Sequence, residues 1–518
     1  MMQLVKKHAG YLLGLTLLGY LLFMWGNGNY SLFDNSEPHY ARISQEMAQT
    51  KQYLTLTFNG KPWFVHPPLY FWICSTWCRL WGWTEFNLRF TEGVFGILGL
   101  WGVYALGRRF FSTTVGVAGA SILATSLYYT VMSRLGIFDT LFNTMILSTL
   151  VFFFLGFYQA QNRFKWFICA ALSTGLSVLT KGPFGLIQPL MGIVPFLLWK
   201  RQLKILWSKE LLLSFGLFFL LVCPWYAYEL KHFGWEFFNV ALKDYTWYRV
   251  FGVVEAQGGP WYFYFPVLMA YFPWIFFLPG ILSQGFTALF KKDQTIFTPL
   301  QKDFVGFSWI WIVLTFIFFS VTGTKLPNYI MGIFPFMSIL TAFYLLNKPR
   351  VAVLASSIPL FATALLIVAV RYPLPAVYMQ DRPLILNFFG VIFATTWLFW
   401  LALVLNKRKL ALGIMTAGAV LWGILLVGKV LPAYEKYKDI PDIIRILKQP
   451  SNLPTVNYDV FSPSLYYYLN TEVPSLRDMS EVQHARVVIP TDDLKALDEA
   501  GRKYLVLFKG IRVSLIQL

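Results

Sequence analysis

Acidic and cationic residues collect in one polar segment of an otherwise very apolar sequence. The segment follows the first hydrophobic run and contains Asp34, Glu37, His39 and His66. A carboxylate beside fixed cations suits transfer of a group from a lipid-linked phosphate, because the carboxylate takes the proton of an attacking hydroxyl while the cations stabilise the departing phosphate. We therefore expect Asp34 and Glu37 in the acidic part of a site and both histidines near the phosphate.

Further polar residues stand at the ends of later hydrophobic runs, namely Asp139, Lys181, Arg249, Lys325 and Tyr329. A charge without a partner costs roughly several kcal/mol at the lipid boundary, so these side chains need partners or a substrate. We expect Asp139 to join the acids and the other four residues to hold phosphate.

Each of these residues also has a structural interpretation. Asp34 and Glu37 are compatible with solvated loop acids, and Asp139 with an anchor paired to Arg134 at the end of a span. The later lysines and the arginine are compatible with side chains that reach lipid head groups from helix ends. His66 precedes two prolines and is compatible with a packed interfacial histidine.

The composition indicates what kind of protein positions these residues. Of 518 residues, 57% are hydrophobic and 13% are charged, as in polytopic membrane proteins. The net charge of +18 lies largely in short loops between apolar runs, where the positive-inside rule puts it, so we expect membrane lipids and no nucleic acid as partners. The four cysteines lie in or beside apolar runs and do not indicate a disulfide framework.

Four basic loops orient the chain. We place residues 200–204, 291–292, 347–350 and 406–409 in the cytoplasm, which gives about thirteen transmembrane helices, a cytoplasmic amino terminus and an external carboxyl end. Parity favours a single crossing between residues 67 and 107, formed either by a long bent helix or by an interfacial segment that leads into a span. The later spans are predicted at about 113–131, 138–158, 166–180, 184–199, 210–229, 262–284, 303–322, 328–346, 351–370, 384–405 and 410–430, with an external loop at 230–261.

The last part of the chain is predicted to be a small external α/β domain. Charges become frequent after about residue 432, and short strand-like stretches alternate with helix-like ones. The strands are predicted at residues 455–460, 486–489 and 503–508, and the helices at residues 439–448 and 491–500. We therefore predict a transmembrane domain over residues 1–431 and a periplasmic domain over residues 432–518.

The first external loop, residues 27–67, is predicted to form the floor of the site. Residues 40–50 predict an amphipathic helix that lies in the membrane interface. Its apolar side contains Ile43 and Met47, and its polar side contains Arg42, Gln45, Glu46 and Gln49. Pro67 and Pro68 end the loop stiffly, because proline fixes its own backbone and restrains the residue before it.

Five short motifs follow one another along the chain. They are SEPHYA at residues 36–41, NGKPWF at 59–64, HPPL at 66–69, TKGP at 180–183 and TKLPNY at 324–329. In order and spacing they resemble glycosyltransferase family 39, which includes the bacterial aminoarabinose transferases of lipid A and relatives of the protein O-mannosyltransferases. The resemblance implies a GT-C membrane fold, a polyprenyl-phosphate-linked sugar as donor, and a lipid, glycan or protein acceptor on the periplasmic side of the inner membrane.

The resemblance also implies roles for single residues. Glu37 matches the glutamate of the family's Asp-Glu pair, and Ser36 stands where the aspartate is expected, so Glu37 or Asp34 would replace it. Asp139 matches a second acidic position, and His39 and His66 match donor-phosphate contacts. Some relatives carry an acid and a histidine that bind a metal. This chain has Val65 and Gln257 at those positions, so the resemblance implies no metal and no cofactor besides the donor substrate.

The sequence thus predicts an inverting-type membrane glycosyltransferase. Two other classes stay open. A polytopic lipid or sugar transporter or flippase would show two repeated halves and ionisable residues near mid-bilayer, which this sequence lacks. A catalytically silent lipid-binding relative is left open by Ser36.

Overall fold

The structure, a computed structural model, forms two compact units. The first contains Met1–Trp25, Phe64–Tyr70 and Phe90–Leu425, and the second contains Gly26–Trp63, Phe71–Arg89 and Leu426–Leu518. The predicted domains at 1–431 and 432–518 differ from these units, since the first loop clusters with the carboxyl-terminal residues. The structure describes residues 2–33, 36–290, 297–347, 349–370, 380–460, 462–476, 478–479 and 484–518, so Asp34 lies outside the described residues.

The first unit is built from helices. They cover Met2–Gly19, most of Glu85–Phe110, Thr113–Ala124, Leu127–Met132, Asp139–Tyr158, Arg163–Lys181, Phe184–Trp199, Lys209–Phe237, Arg249–Phe251, Tyr264–Met269, Leu278–Phe290, Pro299–Val321, Phe334–Asn347, Pro349–Val370, Arg382–Val404 and Arg408–Leu425. Segments of π-helix or 3-10 helix extend or join them at Tyr20–Met24, Ala160–Asn162, Leu203–Trp207, Phe238–Tyr248, Trp274–Phe277 and Pro327–Ile333.

Seven helices in the described part of the chain are long and apolar enough to cross a bilayer, and five shorter apolar helices of 10–17 residues accompany them. About 20 helical residues match a hydrocarbon core of about 30 Å. A polytopic helical architecture is therefore confirmed, whereas the count of about thirteen crossings and their orientation stay predictions.

The region between residues 67 and 107 holds two helices of very different length. Leu69–Trp81 has 13 residues, which is about 20 Å and too short for a crossing. Glu85–Phe110 has 26 residues and is long and apolar enough to span. Two separate helices rule out the long bent helix and fit the alternative of a short segment that leads into a span, while the number of crossings stays a prediction.

Two predicted spans are interrupted. In 113–131, Thr113–Ala124 ends before Thr125, and a second short helix follows. In 262–284, residues 270–273 separate Tyr264–Met269 from the 3-10 helix Trp274–Phe277 and the helix Leu278–Phe290. In contrast, the predicted external loop at 230–261 is helical as far as Phe251.

The second unit contains a five-stranded mixed sheet. Its order is Ser475–Leu476, Thr455–Tyr458, Arg486–Pro490, Val513–Gln517 and Leu505–Phe508. The first three strands pair in parallel and the last three are antiparallel. The strands predicted near 455, 486 and 503 are confirmed, while Ser475–Leu476 and Val513–Gln517 were not predicted. Helices of this unit cover Ser36–Thr50, most of Leu69–Trp81, Leu431–Glu435, Asp439–Leu447, Pro463–Leu469 and Leu494–Glu499.

The helix of the first loop, Ser36–Thr50, is enclosed by protein. Arg42 and Glu46 lie on the polar side of the predicted amphipathic helix, yet both are buried and pair at 2.9 Å. Glu46 also accepts hydrogen bonds from the Thr57 hydroxyl at 2.9 Å and the Asn59 N–H at 2.7 Å. The predicted helix is therefore confirmed, and the hairpin of Thr57–Phe58 and Lys61–Pro62 covers part of its polar side, whereas its place in the membrane interface stays a prediction.

Tyr468 joins the first loop to the carboxyl-terminal residues inside the second unit. Its hydroxyl donates to Glu85 Oε1 at 2.9 Å and accepts from the Leu32 N–H at 3.1 Å. We expect Tyr468→Phe to lower the free energy of unfolding by about 1–3 kcal/mol, because both groups lose a partner in a part-buried place. The thermal unfolding midpoint in detergent measures this loss. Tyr504→Phe, which removes an exposed hydroxyl bond, is the control and should leave the midpoint unchanged.

Candidate active site

One cavity of the first unit brings together four of the predicted phosphate-binding residues. His66, Lys181, Arg249 and Tyr329 all line it, although they come from four distant parts of the sequence. Aromatic and small side chains complete the wall, among them Phe64, Val65, Pro67, Phe184, Trp225, Tyr226, Tyr245, Thr246 and Phe319. The cavity therefore combines cationic and hydroxyl groups with an apolar lining.

Asp139 holds one wall of this cavity in place. It is buried at the first residue of Asp139–Tyr158, where the helix dipole favours a negative charge. Its Oδ1 pairs with Lys181 Nζ at 2.5 Å, and its Oδ2 accepts from Asn328 Nδ2 at 2.7 Å. A single carboxylate therefore joins three separate elements, and one of its partners faces the cavity.

Lys181 is positioned by its helix end and by aromatic rings. It is the last residue of Arg163–Lys181, and Gly182 turns the chain there with a φ of 71°, which glycine adopts readily. The Lys181 ammonium lies 5.3 Å from the Phe142 ring centre and 5.4 Å from that of Tyr329. These contacts fix a cation among rings, where cation–π attraction stabilises it.

Arg249 offers an unused donor in a buried position. The side chain is 7% exposed, its Nη1 donates to the Tyr329 hydroxyl at 3.1 Å, and its Nη2 donates to Glu255 Oε2 at 3.3 Å. Glu255 also accepts from the Tyr245 hydroxyl at 2.6 Å. Arg249 Nε has no hydrogen-bond partner among the described residues. A buried guanidinium N–H without an acceptor is suited to an anionic ligand.

The segment with the TKLPNY motif is clamped to the segment that carries Arg249. The Gly323 N–H donates to Val250 O at 2.9 Å, and the Thr324 N–H donates to Arg249 O at 3.1 Å. A Cβ on Gly323 would lie 2.3 Å from the carbonyl oxygen of Gly252, so this approach requires glycine. The clamp fixes the position of the arginine relative to Tyr329.

Lys325 lies beside this clamp rather than in the cavity lining. Its side chain is buried and donates to the carbonyl oxygen of Thr322. Burial lowers the pKa of Lys325 below its ordinary value. A direct contact with phosphate therefore stays a prediction for this residue.

Glu37 belongs to the second unit, where it forms a buried bidentate ion pair. Its two oxygens accept from Arg89 Nε and Nη2, each at 2.8 Å, and Oε2 also accepts from the Phe33 N–H at 2.8 Å. Arg89 donates its other N–H groups to backbone carbonyls of the same loop, at Asn27, Tyr30 and Ser31. These three hydrogen bonds use most of the acceptor capacity of the carboxylate, and its role as a base stays a prediction.

His39 is stacked in the second unit. Its ring lies 4.1 Å from the Phe58 ring centre at an interplanar angle of 17°, and 5.5 Å from that of Trp63. Burial lowers the pKa of His39 to about 4. The ring is therefore uncharged at neutral pH and would meet a phosphate only through a neutral N–H.

Glu92 was not predicted from the sequence. It is fully buried, and its Oε2 accepts from the backbone N–H groups of Thr140 at 2.7 Å and Leu141 at 3.3 Å. These amides begin the helix whose first residue is Asp139, so Glu92 caps that helix from another element. Its signal in the sequence is an acid inside an apolar run, a position that normally marks function or a buried partner.

Within the described ranges, no three histidine, cysteine, aspartate or glutamate side chains form a group that suits a metal ion. Val65 lines the cavity, and Gln257 donates to Glu255 at 3.0 Å. The absence of a metal and of any cofactor stays a prediction.

This chain is similar in sequence to several known proteins. Residues 65–228 match the family model described as dolichyl-phosphate-mannose-protein mannosyltransferase. An uncharacterized protein of Aquifex aeolicus is 26% identical over 474 residues, which is 90% of this chain and 88% of that protein. The undecaprenyl phosphate-alpha-4-amino-4-deoxy-L-arabinose arabinosyl transferase of Enterobacter sp. is 26% identical over 353 residues. That alignment covers 65% of this chain and 59% of the transferase, which is less than two thirds of its length.

The crystal structure of ArnT from Cupriavidus metallidurans bound to undecaprenyl phosphate matches this chain with a TM-score of 0.81. The match covers 98% of each chain at 19% sequence identity. The chain has the GT-C fold. The predicted GT-C fold class with a small carboxyl-terminal α/β domain is thus confirmed, and so is the resemblance to glycosyltransferase family 39. In this GT-C chain, the cavity with His66 and Arg249 lies wholly within the first unit.

Glu92 makes a prediction about the helix that carries Asp139. We expect Glu92→Ala to lower the free energy of unfolding by about 1–3 kcal/mol for each buried amide that loses its acceptor. Glu92→Gln keeps one carbonyl oxygen as an acceptor and should lose less. Thermal unfolding in detergent compares the two variants. If the unfolding midpoints of both variants equal that of the wild type, the hydrogen bonds from Thr140 and Leu141 to Glu92 do not stabilise this GT-C fold.

His39 makes a prediction about pH. Because its pKa is about 4 in the folded chain and about 6.5 when unfolded, the unfolded chain binds more protons between these values, so stability falls as pH drops from about 6.5 towards 4. His39→Phe keeps a stacked ring and removes the titrating group. The difference in unfolding midpoint between pH 7 and pH 5 should be smaller for this variant. An unchanged difference would contradict a buried neutral His39.

Proposed function

We propose that this chain is a membrane glycosyltransferase that moves a sugar from a polyprenyl-phosphate donor to an acceptor at the outer face of the bacterial inner membrane. The observation that carries the proposal is the single cavity lined by His66, Lys181, Arg249 and Tyr329. Four groups that can donate hydrogen bonds to phosphate face one space with apolar walls, and this chemistry suits the phosphate of such a donor. The names of the related transferases support the same reaction class.

In the proposed reaction, the acceptor hydroxyl attacks the anomeric carbon of the sugar. The bond between that carbon and the phosphate oxygen breaks, and polyprenyl phosphate leaves with the electron pair. Lys181 and Arg249 stabilise the charge that develops on this phosphate, and the unpaired Arg249 Nε can take up one of its oxygens. Placing fixed donors at the developing charge is usually the largest contribution that a protein makes to such a step.

The acceptor proton passes to a carboxylate. Of the three predicted acids, Asp139 contacts a cavity-lining residue directly, through Lys181 at 2.5 Å. Asp139 therefore either accepts the proton itself or holds Lys181 in place, and the acceptor-orienting roles of Glu37 and Asp34 stay predictions. We further propose that the amino terminus is cytoplasmic and the carboxyl-terminal domain periplasmic, in line with the positions of the basic loops.

The decisive experiment is a transfer assay with purified protein in lipid nanodiscs. The first donors to test are undecaprenyl phosphate-linked aminoarabinose and a polyprenyl-phosphate mannose, the sugars that the relatives' names indicate, with lipid A as the first acceptor. Mass spectrometry would follow both the glycosylated product and the released polyprenyl phosphate. A transporter or a silent binding relative would release none.

Arg249→Gln should lower kcat/KM for the donor by about 10²–10³, since one preorganised donor to the leaving phosphate is lost. Lys243→Gln is the matched control. Lys243 is an exposed cation on the same helical segment and is absent from the cavity lining, so its variant should keep wild-type turnover. Equal turnover in Arg249→Gln and the control would show that the cavity takes no part in the reaction.

A further inference from the structure

A second polar cluster lies at the far end of the helices that carry the candidate active site. Asp139–Tyr158, Arg163–Lys181, Phe184–Trp199 and Pro299–Val321 each have one end at the cavity described above. Their other ends meet around Asp303. The helices have 16 to 23 residues and are therefore about 24–35 Å long, so the two polar ends are separated by about a bilayer core.

Asp303 is the centre of this cluster. Both of its oxygens accept from Lys200 Nζ at 2.8 Å, and one also accepts from the Tyr158 hydroxyl. The carboxylate is mostly buried, and the lysine is folded onto it instead of extending into solvent. The one acid of the cluster is thus already neutralised by a residue of the cluster.

Two cavities flank the Lys200–Asp303 pair and share both residues as walls. One is also lined by Arg201 and Lys302, and the other by Arg163 and Lys204. Five cationic side chains therefore surround one carboxylate. The positive-inside rule accounts for the number of basic residues here, but it does not require them to line concave space.

Apolar side chains are exposed beside these cavities. Leu198 is 54% exposed, Leu203 is 39% exposed and Trp207 is 79% exposed. A small soluble anion makes no contacts with such an apolar surface, whereas the acyl chains of a lipid pack against it. The combination of cationic cavities and adjacent apolar surface therefore indicates an amphiphilic anion.

We propose that these two cavities bind the phosphate of an anionic phospholipid, with its acyl chains over Leu198, Leu203 and Trp207. The site lies at the end of the helices opposite the candidate active site, and it does not depend on the proposed glycosyltransferase reaction. Basic pockets between transmembrane helices are suited to such head groups.

Native mass spectrometry of the purified full-length protein tests the proposal. Cardiolipin, phosphatidylglycerol, phosphatidylethanolamine and inorganic phosphate would each be titrated. The test variant is Arg201→Gln with Lys204→Gln, two exposed residues outside the Asp303 ion pair. Its control is Lys407→Gln with Lys409→Gln, which removes the same charge from another exposed basic loop that is predicted to lie on the same membrane face.

We expect anionic phospholipid to bind the wild type more tightly than phosphatidylethanolamine, and the test variant to raise its dissociation constant at least about tenfold. The control variant should change this dissociation constant less than about twofold.

Equal losses of affinity in both variants would show attraction by general surface charge and overturn the proposal. It would also fail if phosphatidylethanolamine bound as tightly as the anionic lipids, or if inorganic phosphate alone bound with the affinity of the lipid. Unfolding midpoints without added lipid should match for wild type and both variants, which verifies that the variants are folded.

Discussion

The polar side of the first unit depends on one buried carboxylate. Asp139 is tolerated in an apolar surrounding because Lys181 neutralises it and Asn328 donates to it. Each partner belongs to a different element, so the elements have to meet where the charge is satisfied. Glu92 adds a further element by taking the first amides of the same helix. The position of the cavity beside Asp139 therefore follows from the pairing of this carboxylate with Lys181 and Asn328.

In the second unit, the buried charge that needs partners is a cation, Arg89. Arg89 is fully buried, and its donors are shared between the Glu37 carboxylate and three backbone carbonyls of the first loop. A guanidinium holds five N–H groups in a fixed plane, so it can order a loop that has little regular structure. The first loop is thereby given one conformation, with Tyr468 as a further tie to the carboxyl-terminal residues.

Much of this arrangement could be predicted from the sequence, because a bilayer demands long apolar runs and strands demand alternation. The strand Val513–Gln517 was missed since its central place in the sheet depends on its partners rather than on its own pattern. Four residues of the cavity were predicted, His66, Lys181 and Tyr329 within motifs and Arg249 as a charge at the end of an apolar run. Arg89 and Glu92 are hidden in an apolar run, and the uncharged state of His39 results from tertiary burial. The sequence pattern indicates which residues are unusual, but their contacts depend on tertiary packing.

The helix Asp139–Tyr158 is secured at both of its ends. Asp139 is held by its partners at one end, and the Tyr158 hydroxyl is bonded to Asp303 at the other. Its 20 residues fix a length of about 30 Å, and an α-helix cannot shorten to suit its surroundings. A membrane of different thickness would therefore have to thin, thicken or accept a tilted protein, and this mismatch would favour residence in bilayers of matching width.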